Sequence, residues 1–285
     1  MVIKKYKHFV ELVRPYNAMT IVVAFCIGYF FTNVHVSFYN FILGILSILL
    51  AHSIATIQND INDYEIDKIN SPDKPLTGGK ISIKEAKTFS WILLSILGFI
   101  AVVGFPKHFF FIFIILLICW LYNNPPFLLS RKTFWPLIIL ASMYSVVPML
   151  YGYFLKNSII TSGFLCIVMV WFLLRISISI LKDFKDEKGD LIFKKKTFYL
   201  TYGKNLTIRT SLYFSVVSFI LIFYFLDYIR PIWVWFIMML PAVRSIYLRW
   251  KLFKAEDVKL THFFHQIFFG QNQFDIIFLL WLLMR

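Results

Sequence analysis

The chain has 285 residues, of which 59% are hydrophobic, 20% aromatic and only 15% charged, and its mean hydropathy is +0.73. A soluble domain of this size needs a charged exterior that this composition does not supply, so a water-soluble globule is excluded and an all-α polytopic membrane protein is expected. The net charge of +14 lies in loops between apolar runs with no groove-reading motif, which excludes nucleic acid as a partner and points to positive-inside bias beside a lipid bilayer.

In chain order, a basic N-terminal segment reaches Arg14-Pro15-Tyr16-Asn17 and then a long apolar run. That run is too long for a signal-peptide core and lacks a small-residue cleavage pattern, so it is expected to be retained as the first span. Breaking the chain at charges and Pro/Gly/Asn clusters gives nine candidate spans. They cover residues 17–36, 38–58, 88–106, 108–124, 134–155, 158–181, 208–228, 231–250 and 263–283. All 29 Lys and Arg except Lys107, Lys156, Arg175, Arg230 and Arg285 then fall on one side, which places that side, with the N-terminus, in the cytoplasm. Cys26, Cys119 and Cys166 are isolated in apolar segments and carry no metal or disulfide spacing.

Nine of the fifteen carboxylates sit in two stretches on the cytoplasmic side. The second span runs into Asn59-Asp60-Ile61-Asn62-Asp63-Tyr64-Glu65-Ile66-Asp67, with Asp73 beyond, and the sixth into Asp183-Phe184-Lys185-Asp186-Glu187-Lys188-Gly189-Asp190. If the helices continue, Asn59, Asp63 and Asp67 share one face (i, i+4, i+8), and Asp183, Asp186 and Asp190 share another (i, i+3, i+7), while Asp60 and Glu65 point elsewhere. Carboxylates so concentrated beside a low-dielectric phase repel one another unless strong positive charge lies between them. Two oxygen-rich faces suit Mg²⁺, which keeps some water and takes one or two carboxylates plus phosphate oxygens, so the pair predicts two ions bridging to a diphosphate. A single acidic run would read as a solvated loop; two in register at one membrane face do not.

Basic groups accompany the acids: Lys74 in Ser71-Pro72-Asp73-Lys74-Pro75, Lys182 beside Asp183, Arg131-Lys132 after the fourth span, and Lys194-Lys195-Lys196 with Lys204. Flanking prolines stiffen the backbone of Lys74. Ser82-Ile83-Lys84-Glu85 reads as a capping box that starts the third span, which makes 68–81 a cytoplasmic lid. Three intramembrane features stand out. His52, seven residues before Asn59, is either an acceptor-site base or a hydrogen-bonded packing histidine. Arg175, inside the sixth span, is a cavity-side ion pair or an anion contact. Gln271-Asn272-Gln273-x-Asp275 faces the bundle either as interhelical glue, the favoured reading, or as acceptor contacts.

Asn59-Asp60-x-x-Asp63-x-x-x-Asp67 continuing through Ser71-Pro72-Asp73-Lys74-Pro75, and Lys182-Asp183-x-x-Asp186-x-x-Gly189-Asp190 followed by Lys196-Thr197 and Gly203, resemble the two signatures of the UbiA superfamily of intramembrane prenyltransferases. Arg14-Pro15-Tyr16-Asn17 and Tyr122-Asn123-Asn124-Pro125-Pro126 resemble it as well. The wording Tyr64-Glu65-Ile66-Asp67-Lys68-Ile69-Asn70 leans toward the branch of digeranylgeranylglyceryl phosphate synthase and chlorophyll synthase. The resemblance implies a nine-helix bundle around a central cavity opening near the cytoplasmic face. As one domain over 1–285, it would have a first four-helix half at about 10–132, a second at about 133–260 and a ninth helix at 263–283.

It also implies Mg²⁺-dependent transfer of a polyprenyl chain from polyprenyl diphosphate to a lipophilic or aromatic acceptor, through an allylic cation. Asn59, Asp63, Asp67, Asp183, Asp186 and Asp190 would hold metal, with Asp63, Asp67, Asp183 and Asp186 catalytic. Lys74, Tyr122, Arg131, Lys132 and Lys182 would contact diphosphate, with Arg14, Asn17, His52 and Arg175 on the acceptor side. Lys74 stands where the family often has arginine, so it acts as a point charge rather than a fork. After Arg131-Lys132 the Gly-Asn often found in the family is missing. The rival readings are an intramembrane terpene cyclase of the same fold and, from another class, a divalent-cation transporter, which would need polar residues at both membrane faces.

Overall fold

The computed structural model describes residues 2–32, 37–156, 159–226 and 233–284. Arg230 and Arg285, and the parts of the expected spans at 33–36, 158, 227–228 and 231–232, lie outside the described residues. Among the described residues the chain is helical, without a strand. The helices in order are α1 (Val2–Leu12), α2 (Pro15–Phe30), α3 (Phe38–Asn62), α4 (Tyr64–Asn70), α5 (Ile83–Val103), α6 (Lys107–Asn123), α7 (Trp135–Ala141) and α8 (Val147–Lys156). They continue with α9 (Ser162–Ser179), α10 (Glu187–Ile192), α11 (Phe198–Leu226), α12 (Trp233–Lys254) and α13 (Asp257–Met284).

Each expected span overlaps one of these helices, or for 134–155 both α7 and α8; among the described residues, with Trp135–Lys156 taken as one helix, six are long and apolar enough to cross a bilayer, or seven if the bent pair Lys5–Leu12 and Pro15–Phe30 is one span. Helix α6, with 17 residues, is shorter than these six, and α12, which carries Arg244, Arg249, Lys251 and Lys254, is not among them.

Local signals explain the boundaries. Helix α5 starts at the expected capping box: Glu85 N–H donates to Ser82 Oγ at 3.2 Å and Ser82 N–H donates to Glu85 at 2.9 Å. Between α1 and α2 the axis bends by 45° at Arg14, held left-handed at φ 50°, with Pro15 as a favourable first helical residue. A left-handed arginine is strained, and Arg14 holds the position while its side chain binds Asp60. Between α7 and α8 the helix widens into a π turn at Ser142–Val146. Pro148 explains it, because that ring has no N–H to return to the carbonyl one turn back.

Three apolar cores hold the bundle: one around α2, α3, α5 and α6, one joining α2, α8, α9, α11, α12 and α13, and one beneath the second acidic motif. Helices α2 and α8 touch backbone to backbone through reciprocal glycines. A Cβ on Gly28 would stand 1.9 Å from the Met149 carbonyl oxygen, and one on Gly152 2.2 Å from that of Phe25. In lipid, where burial of apolar side chains gives little drive, such close approach is a main source of helix adhesion. This pair sets the spacing on one side of the central cavity.

Candidate active site

Both acidic motifs are built alike. Helix α3 breaks at Asp63 (φ −95°, ψ 12°) and restarts as α4. Helix α9 passes through a 3₁₀ turn at Lys182–Lys185, breaks at Asp186 (φ −106°, ψ 8°) and restarts as α10. The expected continuous helical faces are therefore interrupted. In the first motif the hydrogen bonds Asp63 N–H to Asn59 at 2.9 Å and Asp67 N–H to Asp63 at 2.8 Å keep the register of the face. Helices α4 and α10 then pack together. Gly189 N–H donates to Asn70 Oδ1 at 2.6 Å, and a Cβ on Gly189 would fall 2.7 Å from the Asn70 side chain.

The motifs thus meet at the mouth of one cavity of about 600 Å³. Asn59, Asp63, Asp67, Asp186 and Asp190 line it, facing Lys74, Tyr122, Lys182, Lys185 and Lys195. Asp183 reaches the site through Lys182, whose ammonium donates to it at 2.5 Å. Deeper in, the walls become apolar through Ile48, Ile115, Ile118, Ile139, Met143 and Val147. Arg14, Asn17, His52, Tyr144 and Arg175 also border this space. Arg131 and Lys132, expected at the diphosphate, are exposed and are not on this wall; the 3₁₀ turn Leu129–Arg131 carries them outward.

The electrostatics are those of paired charges in a poorly hydrated place. Asp60, expected to point away, is 4% exposed and binds both Arg14 and, at 3.5 Å, Lys74. Lys74 also holds Asp67 at 2.6 Å. Lys195 spans the motifs, 3.3 Å from Asp63 and 3.9 Å from Asp190. Burial raises the Asp67 carboxyl above its ordinary pKa, with Lys74 opposing. Burial also raises Asp190 to about 6 despite Lys195. Burial lowers the Lys195 ammonium, but Asp63 and Asp190 more than restore it, so its pKa is raised.

Among the described residues no three His, Cys, Asp or Glu side chains converge on one point, as expected where lysines hold the carboxylates in separate pairs. The donors still fit Mg²⁺. They are hard oxygens, one or two carboxylates per ion suffice when phosphate and water complete the shell, and Asp190 Oδ1 is buried with no hydrogen-bond partner.

Farther inside, Arg175 is ion-paired with Asp275, and Gln271 donates to Asp275 at 3.4 Å; the Gln271–Asp275 stretch is interhelical glue, as its sequence suggested. Thr20 donates to Asn272 at 3.1 Å, which ties α2 to α13. His52 is buried with Nε2 unpartnered and its ring edge-on to Tyr144, centroids 6.0 Å apart. Asn70, Tyr144 and Lys185 were given no role from sequence, Asp60 was expected to point away, and Lys195 stood only within a run of three lysines. Asp60 and Lys185 lie within the acidic motifs, and the run Lys194-Lys195-Lys196 does not say which lysine turns inward.

Residues 20–272 match the profile of the UbiA prenyltransferase family. Digeranylgeranylglyceryl phosphate synthase of Methanosphaera stadtmanae is 29% identical over 217 residues, 75% of each chain. A solved structure from work on digeranylgeranylglyceryl phosphate synthase in membranes superposes with a TM-score of 0.70 at 23% identity, covering 99% of both chains. A UbiA homologue from Archaeoglobus fulgidus bound to GPP and Mg²⁺ gives a TM-score of 0.67 at 18% identity, covering 97% of this chain and 98% of that one. At those identities the structural likeness establishes a shared fold.

Proposed function

The chain belongs to the UbiA prenyltransferase family, and from that premise we propose that it transfers a polyprenyl group from its diphosphate to the hydroxyl of a prenylglyceryl phosphate lipid. It is a multi-pass membrane prenyltransferase; in this proposal nine spans, in two four-helix halves and a ninth helix, carry both motifs to the cytoplasmic side. One observation carries it. Asp63 and Asp190, from separate motifs, share a single lysine at the mouth of a cavity whose interior is apolar. The glycerophosphate acceptor is favoured by the curated relative from Methanosphaera stadtmanae and by the wording of the first motif.

Asn59, Asp63 and Asp67 would hold one Mg²⁺, and Asp183, Asp186 and Asp190 a second. When bound, Mg²⁺ supplies Lewis-acid stabilisation of the charge that grows on the departing diphosphate. Lys74, Lys182 and Tyr122 bind and orient that group from the protein side. The apolar wall at Ile115, Ile118, Ile139 and Met143 excludes water, which would otherwise trap the allylic cation. The C1–O bond to diphosphate breaks with its electrons leaving on oxygen, the acceptor oxygen bonds to C1, and its proton is released.

The test is to incubate membranes containing the protein with labelled geranylgeranyl diphosphate, Mg²⁺ and separate acceptors: phenolic acids, naphthoates and geranylgeranylglyceryl phosphate. Labelled ether lipid formed only with the last supports the proposal. A hydrocarbon product without acceptor would instead establish a cyclase, and an aromatic product would move the acceptor class.

A further inference from the structure

Resting on the metal and diphosphate reading above, we propose that Lys195 makes metal binding and diphosphate binding conditional on each other. It holds the carboxylates of both motifs while no metal is present, and passes to a diphosphate oxygen when metal takes them.

The placement is specific. Lys195 lies in the link between α10 and α11, fixed by its own N–H, which donates to the Asp190 carbonyl at 2.8 Å. The preceding Lys194 is left-handed, φ 52°, and that turn sends neighbouring lysines apart: Lys194 and Lys196 are exposed, whereas the Lys195 side chain is 13% exposed. Its ammonium contacts Asp63, at the break before α4, and Asp190, in α10. Lys74 and Lys182 pair with carboxylates of one motif each, so among the ion pairs of the site this one spans both.

The fit is incomplete in an informative way. One ammonium leaves two carboxylates with a net negative charge, and Asp190 Oδ1, 3.9 Å away, has no hydrogen bond. A divalent cation satisfies that pair better. Its arrival, however, sets a second positive charge within a few ångströms of Lys195, a costly neighbour in a poorly hydrated site. The ammonium must then leave, and the diphosphate is the anion that receives it. Metal alone is opposed by Lys195, diphosphate alone by the carboxylates, and the two together relieve both conflicts, which is a coupling free energy between two ligands.

The experiment uses the full chain in detergent with Mn²⁺ as the metal probe and no diphosphate, titrated by the loss of its free-ion EPR signal. Lys195→Met is expected to bind Mn²⁺ about threefold to tenfold more tightly than wild type, the scale of one ion pair. Lys195→Arg, which keeps the charge, should stay near wild type. In a second arm, labelled inorganic diphosphate is bound at saturating Mg²⁺, and Lys195→Met should bind it more weakly by a similar factor. A lysine that only braced the two motifs would give the opposite first result, weaker Mn²⁺ binding when removed. Unchanged or weakened Mn²⁺ binding overturns the proposal, and tighter Mn²⁺ with unchanged diphosphate binding overturns the hand-over. Should Lys195→Met not fold, Lys195→Gln serves the same comparison. Both arms measure binding, so they stand even if the wild-type protein transfers no prenyl group.

Discussion

An aspartate at the first position of a helix ordinarily turns its carboxylate back onto the helix N–H groups; Asp63 and Asp186 make no such side-chain cap. Their carboxylates are left for the cavity at some expense to the short helices that follow. Replacing either with alanine is expected to lower turnover by at least about a hundredfold, the range seen when one electrostatic stabiliser is lost, with insertion and thermal unfolding near wild type. Asp190, raised to about 6 by burial, must be ionised to bind metal. Below that pH a proton competes, so the half-saturating Mg²⁺ concentration should climb by about tenfold per pH unit under pH 6 and level off above it; Mg²⁺ titrations of activity from pH 5 to 8 check this. For stability alone the sign is opposite, because a folded-state pKa above the unfolded one favours the fold as pH falls through 6. Arg175 and Asp275, 3% and 1% exposed, form a buried pair whose disruption strands a charge. Arg175→Met should cost about 3 kcal/mol, and adding Asp275→Leu should recover most of it, as read by unfolding in detergent.

At the scale of elements, the site depends on two short helices meeting. Helices α4 and α10 are too short to be stable alone, and their junction has no room to spare at Gly189. Gly189→Ala therefore forces Asn70 away and moves Asp67 relative to Asp190. The expected result is a tenfold or larger rise in half-saturating Mg²⁺ with little loss of overall stability, an order set by the sensitivity of catalysis to displacements of about 1 Å. The α2–α8 contact predicts the reverse split. A Cβ at Gly28 or Gly152 enters a backbone carbonyl, so Gly28→Ala should lower stability by about 1–3 kcal/mol and, through the cavity wall that α8 supports, reduce activity in proportion to the folded fraction.

For the whole molecule, the proposal sets both motifs and the N-terminal helix on the cytoplasmic side, and two ion pairs are consistent with their lying together. Lys5 pairs with Glu85 at the start of α5, and Arg14 pairs with Asp60 at the end of α3. Orientation is tested with single cysteines. In intact cells an impermeant maleimide should label Gly163→Cys, at the far end of α9, and should leave Lys80→Cys and Lys188→Cys unlabelled until the membrane is opened. Cys26 and Cys119 are buried and Cys166 is half-buried, so the single cysteines are placed in a Cys166→Ser background.

Much of this protein was legible in its residues one after another. Hydrophobic run length and lysine placement determine helices, the membrane and a charge-biased face, because those depend on local transfer energies. Two Asp-rich motifs at a fixed spacing name the chemistry, and Ser82 and Glu85 mark a helix start through bonds made within four residues. The folded bundle alone decided which charges meet. Asp60 sits between Arg14 and Lys74, Lys195 rather than its neighbours turns inward, Arg131 and Lys132 turn out, and Gly189 rests on Asn70. Those outcomes follow from where distant helices cross and from single left-handed residues that redirect the chain, and a short-range pattern carries no record of either.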